Sequence, residues 1–232
     1  MKRLWPIVLI FLITSCSSVQ SVDRPASYYS PEPELVQEVV DASTFGEYDN
    51  RIRALLDYQV KLPEQSRIAI LKLNSDSYWR NYSSEFNQLN ESIVTDFIQQ
   101  LRSSSRVFDA SFLPAMLLGK DRSMPVLRNA AARFQADLLL AYRSSCESYQ
   151  RYRFIKANET KSTCTVEAFL LDVRSGIIVK SIVSSEDFYA VKQEGDTNFR
   201  ETIKKAELEA TAKCLNTVAG GVVEFVAGAN RL

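Results

Sequence analysis

The hydrophobic patterning predicts an α+β fold: one domain, a mixed sheet of about five strands, two to three helices packed on it, and a long helix at the end. Two observations carry this expectation. Short strand-length runs recur from residue 67 onward, the first of them with β-branched content, and segments with apolar residues at helical spacing separate the first three and follow the last.

In order, RIAILKL at 67–73 sets Ile68, Ile70 and Lys72 against Ala69, Leu71 and Leu73, a strand alternation. In 91–104 the residues Ile93, Val94, Phe97, Ile98 and Leu101 recur at helical spacing, with Asn90 placed to cap them. RVFDASF at 106–112 is a second strand, and 114–123 a loop. Pro125 then opens a helix whose Val126, Leu127, Ala130, Ala131 and Phe134 share a face. Strands follow at 136–146, 162–173 and 177–189, the last two joined by the turn Arg174-Ser175-Gly176. A long helix at 197–218 aligns Phe199, Ile203, Ala206, Ala210, Cys214 and Val218, and Gly220-Gly221 is expected to break it. Three strands in a meander after a strand-helix-strand-helix start place the helices on one face of the sheet.

Composition narrows the chemistry. The 232 residues contain no histidine, which excludes serine-histidine-carboxylate and cysteine-histidine nucleophiles and histidine-containing zinc sites. Twenty-eight basic residues balance 28 acidic ones, so no global field draws in nucleic acid. There is no CxxC pair, no EF-hand spacing and no phosphate-binding glycine loop among seven glycines. No catalytic, cofactor-binding or metal site is therefore expected, and the reading is of a non-enzyme. The carboxylates Glu167, Asp172, Glu186 and Asp187 leave one enzymatic alternative, an acid–base pair of an envelope hydrolase.

The amino-terminal segment supplies an address. Lys2 and Arg3 precede the apolar run WPIVLIFLI at 5–13, too short for a permanent transmembrane helix and suited to a secretory signal. The residues Ile13-Thr14-Ser15-Cys16 that follow resemble the bacterial lipobox. That resemblance implies a lipoprotein signal peptide at 1–15, acylation of Cys16, and a membrane anchor of several acyl chains. Ser17 stands where an aspartate favours inner-membrane retention in enterobacterial lipoproteins, which implies the outer membrane, facing the periplasm. Residues 16–34, rich in serine and proline, read as a flexible tether able to hold a domain several tens of ångströms from the membrane. Residues 35–61, with helical patterns at 35–40 and 51–58, read as a short helical lead-in, and 62–232 as the periplasmic domain.

The runs RIAILKL, LRSSSRVF, RNAAARFQADLLLAY and LLDVRSGIIV together resemble a small periplasmic domain. It is shared by the curli-secretion lipoprotein, the amino-terminal domain of the Tol-system propeller protein and lipoprotein activators of penicillin-binding proteins. The resemblance spans residues 67–218 and implies a binding or assembly role with an envelope protein. The alternative it leaves is a subunit of an oligomeric secretion or assembly complex.

With Cys16 acylated, Cys146, Cys164 and Cys214 remain. A hairpin that sets 146 opposite 164 also sets 140 opposite 170 and 142 opposite 168, joining apolar partners on one face, and a Cys146–Cys164 disulfide follows from that register. Two reduced, half-buried thiols are the alternative, because the turn-forming Ala157-Asn158-Glu159 centres the hairpin two or three residues later unless a bulge or irregular loop intervenes. Cys214 falls on the apolar helix face as a buried free thiol. Inside the hairpin, Tyr149, Arg151, Tyr152, Arg153 and Phe154 combine aromatic and guanidinium side chains, the composition of a partner surface or of a solvated tip.

Overall fold

A computed structural model of the chain describes residues 19–21, 45–74, 83–118 and 122–232. The signal peptide, Cys16, most of the 16–34 tether and the pattern at 35–40 lie outside the described residues. In chain order the elements are β1 (Val19–Ser21), α1 (Phe45–Leu56), β2 (Lys61–Leu62), β3 (Ser66–Lys72), α2 (Ser84–Leu101), β4 (Val107–Phe112), a 3-10 turn (Ala115–Leu117), α3 (Met124–Arg133), β5 (Leu138–Arg151), β6 (Glu159–Asp172), β7 (Ile178–Val191), α4 (Phe199–Gly228) and β8 (Asn230–Arg231).

The main sheet runs β4-β3-β5-β6-β7, parallel in its first three strands and antiparallel in its last three. This is the mixed sheet that the sequence predicts. The helices, however, lie on both faces and not on one. Ile68, Ile70, Leu138, Leu140 and Leu170 pack under Phe97 and Leu101 of α2 and Val218, Val222 and Val226 of α4. Ala69, Leu71, Leu139, Ala141 and Leu171, on the opposite face, pack under Leu127, Ala130 and Ala131 of α3. Connection handedness explains the split. The chain steps from β3 outward to β4, then back past β3 to β5, and two right-handed crossovers made in opposite directions place their helices on opposite faces.

Two helix limits differ from expectation. The first turns of α2 precede Asn90: Ser83 is the cap, its hydroxyl accepting from Phe86 N at 3.3 Å, and Phe86 adds a buried ring to the apolar face. Nor does α4 stop at Gly220-Gly221; it continues to Gly228, 30 residues and about 45 Å. A Cβ at position 221 would come within 2.8 Å of Ile182 Cδ1, so glycine here lets helix and sheet approach closely. Gly176, by contrast, takes the positive φ of 78° that the Arg174-Ser175-Gly176 turn requires.

Past the helix-covered end, β5, β6 and β7 project as a three-stranded arm. β5 and β6 pair without interruption from Leu138↔Asp172 to Arg151↔Glu159, and Leu140↔Leu170 and Tyr142↔Ala168 are in register as parity demands. β3 leaves the edge of β5 at Lys72↔Tyr142. Asn74 then bonds Ser144 in both directions, at 2.7 and 3.2 Å, and β1 takes up the same edge antiparallel, Val19↔Arg151 to Ser21↔Tyr149. β1 falls inside the expected tether, so its described part is a strand of the sheet. Near the other end of the molecule, β2 and β8 form a parallel pair, held by Arg106, which donates to the carbonyls of Ala229 (2.5 Å) and Pro63 (3.3 Å).

Candidate functional site

The arm has an inner and an outer face. Along β5, β6 and β7 the inner residues lie beneath α4, where Lys213 Nζ sits 5.3 Å from the Phe188 ring and Thr160, Ser162 and Cys164 are buried. The outer residues beyond Arg143 carry no helix among the described elements, because α3 ends its cover at the Leu139–Ala141 level. Tyr149, Val183, Tyr189 and Val191 are exposed on that face, beside the ion pairs Arg143–Glu167 (2.7 Å) and Lys161–Asp187 (2.5 Å).

Cys146 and Cys164 are opposite one another and joined in a disulfide. The turn objection is met by the irregular seven-residue loop 152–158: Asn158 does not centre a tight turn, and its side-chain oxygen accepts from Arg153 N at 2.9 Å. Thr211 of α4 lies 3.6 Å from the Cys146 sulfur, so the bridge sits against the helix. Cys214 is free and fully buried, donating to the Cys164 carbonyl at 3.3 Å, and burial pushes its thiol above the ordinary range, away from the reactive thiolate.

Of the hairpin residues singled out as a partner surface, Tyr149, Arg151 and Phe154 face outward. The other two have work within the fold. Tyr152 meets Phe199 edge to face at 5.4 Å and donates to Gln150 at 2.6 Å, and Arg153 is paired with Glu159 at 2.7 Å. Ile155, which lacks any alternating or helical pattern around it and so left no sequence signal of its own, is 93% exposed beside Phe154.

The four carboxylates do not converge. Asp172 is buried at the 172–176 turn, accepting from the Ser175 hydroxyl (2.5 Å), Arg174 N (3.2 Å) and Tyr58 Oη (3.0 Å). Glu167 pairs with Arg143 on the outer face. Glu186 stands opposite Cys164 on the inner face, and Asp187 opposite Thr163 on the outer. The hydrogen bond from Lys161 holds Asp187 below the usual carboxylate range, which suits a fixed ion pair and not a general acid.

A second acidic group was missed by sequence reasoning. Glu201 has no exposed surface, and its carboxylate accepts from the Ser83 hydroxyl, from Thr197 N at 3.0 Å and from Lys205 at 3.1 Å. Burial pushes its pKa up, but these hydrogen bonds outweigh that and lower it to about 2. Asp196 beside it accepts from Thr202 (2.6 Å) and Lys205 (2.7 Å) and is also held low against the effect of burial. The carboxylate of Glu201 thus ties the capping serine of α2 to the first turn of α4. The Asn198-to-Glu201 spacing, a cap with an acid three residues on, was the visible signal. Every member of this cluster is satisfied within the fold, so it is a structural clamp.

Among the described residues no group of three histidine, cysteine, aspartate or glutamate side chains is placed to hold a metal ion, and no helix is long and apolar enough to cross a membrane.

No family model and no curated protein matches this chain. Among solved structures it is similar to a PelC dodecamer from Paraburkholderia phytofirmans, at 15% identity, covering 71% of this chain and 91% of that one with a TM-score of 0.36. It is similar also to lipoprotein GNA1162 from Neisseria meningitidis (13% identity, 71% and 99% covered, TM-score 0.33) and to the C-terminal domain of LpoB from Salmonella enterica (10%, 58% and 90%, 0.29). At these identities and TM-scores they assign neither a family nor an activity.

Proposed function

We propose that this protein is a non-enzymatic, lipid-anchored module of the bacterial outer membrane that faces the periplasm and binds another envelope protein. The anchor is Cys16, on the strength of the Ile13-Thr14-Ser15-Cys16 run behind its basic and apolar leader. The observation that carries the binding role is the open outer face of the arm, where Tyr149, Val183, Tyr189 and Val191 stand in solvent. Aromatic and aliphatic side chains fixed on a rigid sheet present contact area at low entropic cost. The separation of Glu167, Asp172, Glu186 and Asp187 supports a role without catalysis.

In-cell crosslinking of the full-length chain followed by pull-down tests this reading. Recovery of one reproducible envelope protein, lost when Tyr149 and Tyr189 are replaced by serine, is the expected result. Turnover of a cell-wall substrate by purified protein, with no protein partner recovered, contradicts it.

A second reading, a subunit of an oligomeric assembly complex, draws on β7, a 14-residue strand that among the described residues pairs only with β6, its other edge carrying no described strand. Native mass spectrometry of the acylated protein separates the two: a stable ring selects the oligomer, a monomer the binding module.

A further inference from the structure

The loop 152–158 sets two large apolar side chains at the far end of the arm, Phe154 at 101% and Ile155 at 93% exposure. They are bracketed by cations: Arg151, Arg153 and Lys156 lie within 151–157, a stretch with no carboxylate. Arg153 is committed to Glu159, which leaves Arg151 and Lys156 as the exposed positive charges on either side of the pair. The loop is held in shape from both flanks. Asn158 accepts from Arg153 N through its side chain and from Lys192 N through its carbonyl, each at 2.9 Å, and Tyr152 leans on Phe199. The apolar pair therefore points away from a braced base.

β1 sets how far Cys16 can lie from that tip. Val19 pairs with Arg151 and Ser21 with Tyr149, so β1 runs away from the tip and its upstream end is the nearer one. Val19 is three residues past Cys16, at most about 10 Å of chain. Phe154 is likewise three residues past Arg151. A membrane-inserted anchor at Cys16 and the exposed apolar pair thus lie within the same short reach of one point in the sheet.

We propose that the loop 152–158 is a membrane-docking tip: Phe154 and Ile155 enter the headgroup region of the leaflet that holds the Cys16 acyl chains, and Arg151 and Lys156 meet anionic phospholipid phosphates. This rests on the reading of Cys16 as acylated. Apolar side chains in the interface, cations at headgroup level and a covalent lipid act together, as surface anchoring by more than one signal requires. The sheet then stands up from the membrane on its hairpin, and the outer face of the arm is held at a fixed height for a protein partner.

The test places a photoreactive benzoylphenylalanine at position 154 or, as a control on the outer face, at position 183 of the full-length chain in cells, and reads the intact mass of the irradiated protein. The expected spectrum shows an acylated mature chain carrying a phospholipid adduct at 154, about tenfold more abundant than at 183. Arg151→Glu with Lys156→Glu should lower that adduct several-fold. An acylated chain with no lipid adduct at 154, with equal adducts at both positions, or with a protein adduct at 154 overturns the docking tip and leaves the anchor standing. An unacylated chain overturns both at once. Phe154 is fully exposed among the described residues, so the replacement should leave folding intact, and an unchanged melting temperature verifies this.

Discussion

The two ends of the main sheet are built differently. At one end β3, β5 and β6 are covered on both faces, and nearly every side chain is apolar and buried. At the other, the described elements cover β5, β6 and β7 on one face only, and their cohesion comes from a disulfide, from α4 lying along them and from the clamp where α2 and α4 begin. The first end is an ordinary core whose sequence is dictated by packing. The second carries residues that packing does not explain, and those residues are the candidates for function.

The largest expected effect falls at the covered end. Leu140→Ala, at a fully buried position, should cost about 3 to 4 kcal/mol in denaturant unfolding, whereas Val183→Ala on the open face should stay within about 0.5 kcal/mol. Comparable losses at the two positions would erase the distinction.

Next is the clamp. A folded-state pKa of about 2 against an ordinary 4.5 means that Glu201 contributes about 3 kcal/mol at neutral pH. Because the folded pKa is the lower one, this stability is complete above about pH 4.5 and is lost as pH falls toward 2. Glu201→Gln should remove most of it at pH 7 and flatten the acid limb of the stability profile, measured by urea unfolding at a series of pH values.

Of similar size is the staple in the arm. Cys146→Ser with Cys164→Ser should cost about 3 kcal/mol by the loop-closure entropy of the 18-residue separation, with hydrogen exchange rising first in β5 and β6 beyond Tyr142.

The smallest effect distinguishes two adjacent glycines of α4. Gly220→Ala meets nothing within 4 Å and should gain about 1 kcal/mol of helix stability, while Gly221→Ala must displace Ile182 and should gain less or lose. Equal gains would mean that helix and sheet are not in close approach there.

These differences also mark what could be read without coordinates. Apolar runs of strand length revealed β3, β5 and β6 because burial writes directly into residue type, and the parity of Leu138, Leu140 and Tyr142 against Val166, Ala168 and Leu170 pointed to the register that joins the cysteines, which turn chemistry alone left open and the structure shows. The placement of α3 on the opposite face was not readable, since it depends on the order in which strands are laid down. Gly220 and Gly221 misled because local propensity disfavours glycine in a helix, while the tertiary approach of Ile182 demands it at position 221. At Glu201 the capping spacing was local and visible, but its partner Ser83 is 118 residues away and left no trace. β1 is three mostly polar residues with no periodicity, so only its pairing with Tyr149–Arg151 reveals it as part of the sheet.

The central claim, that the open face of the arm meets an envelope protein, is tested most directly by a photoreactive residue at position 189 in living cells, compared with one at Ile52 on α1, which is also half exposed. One discrete protein adduct at 189 and none at 52 is the expected result. No protein adduct at 189, or the same diffuse set at both positions, contradicts it.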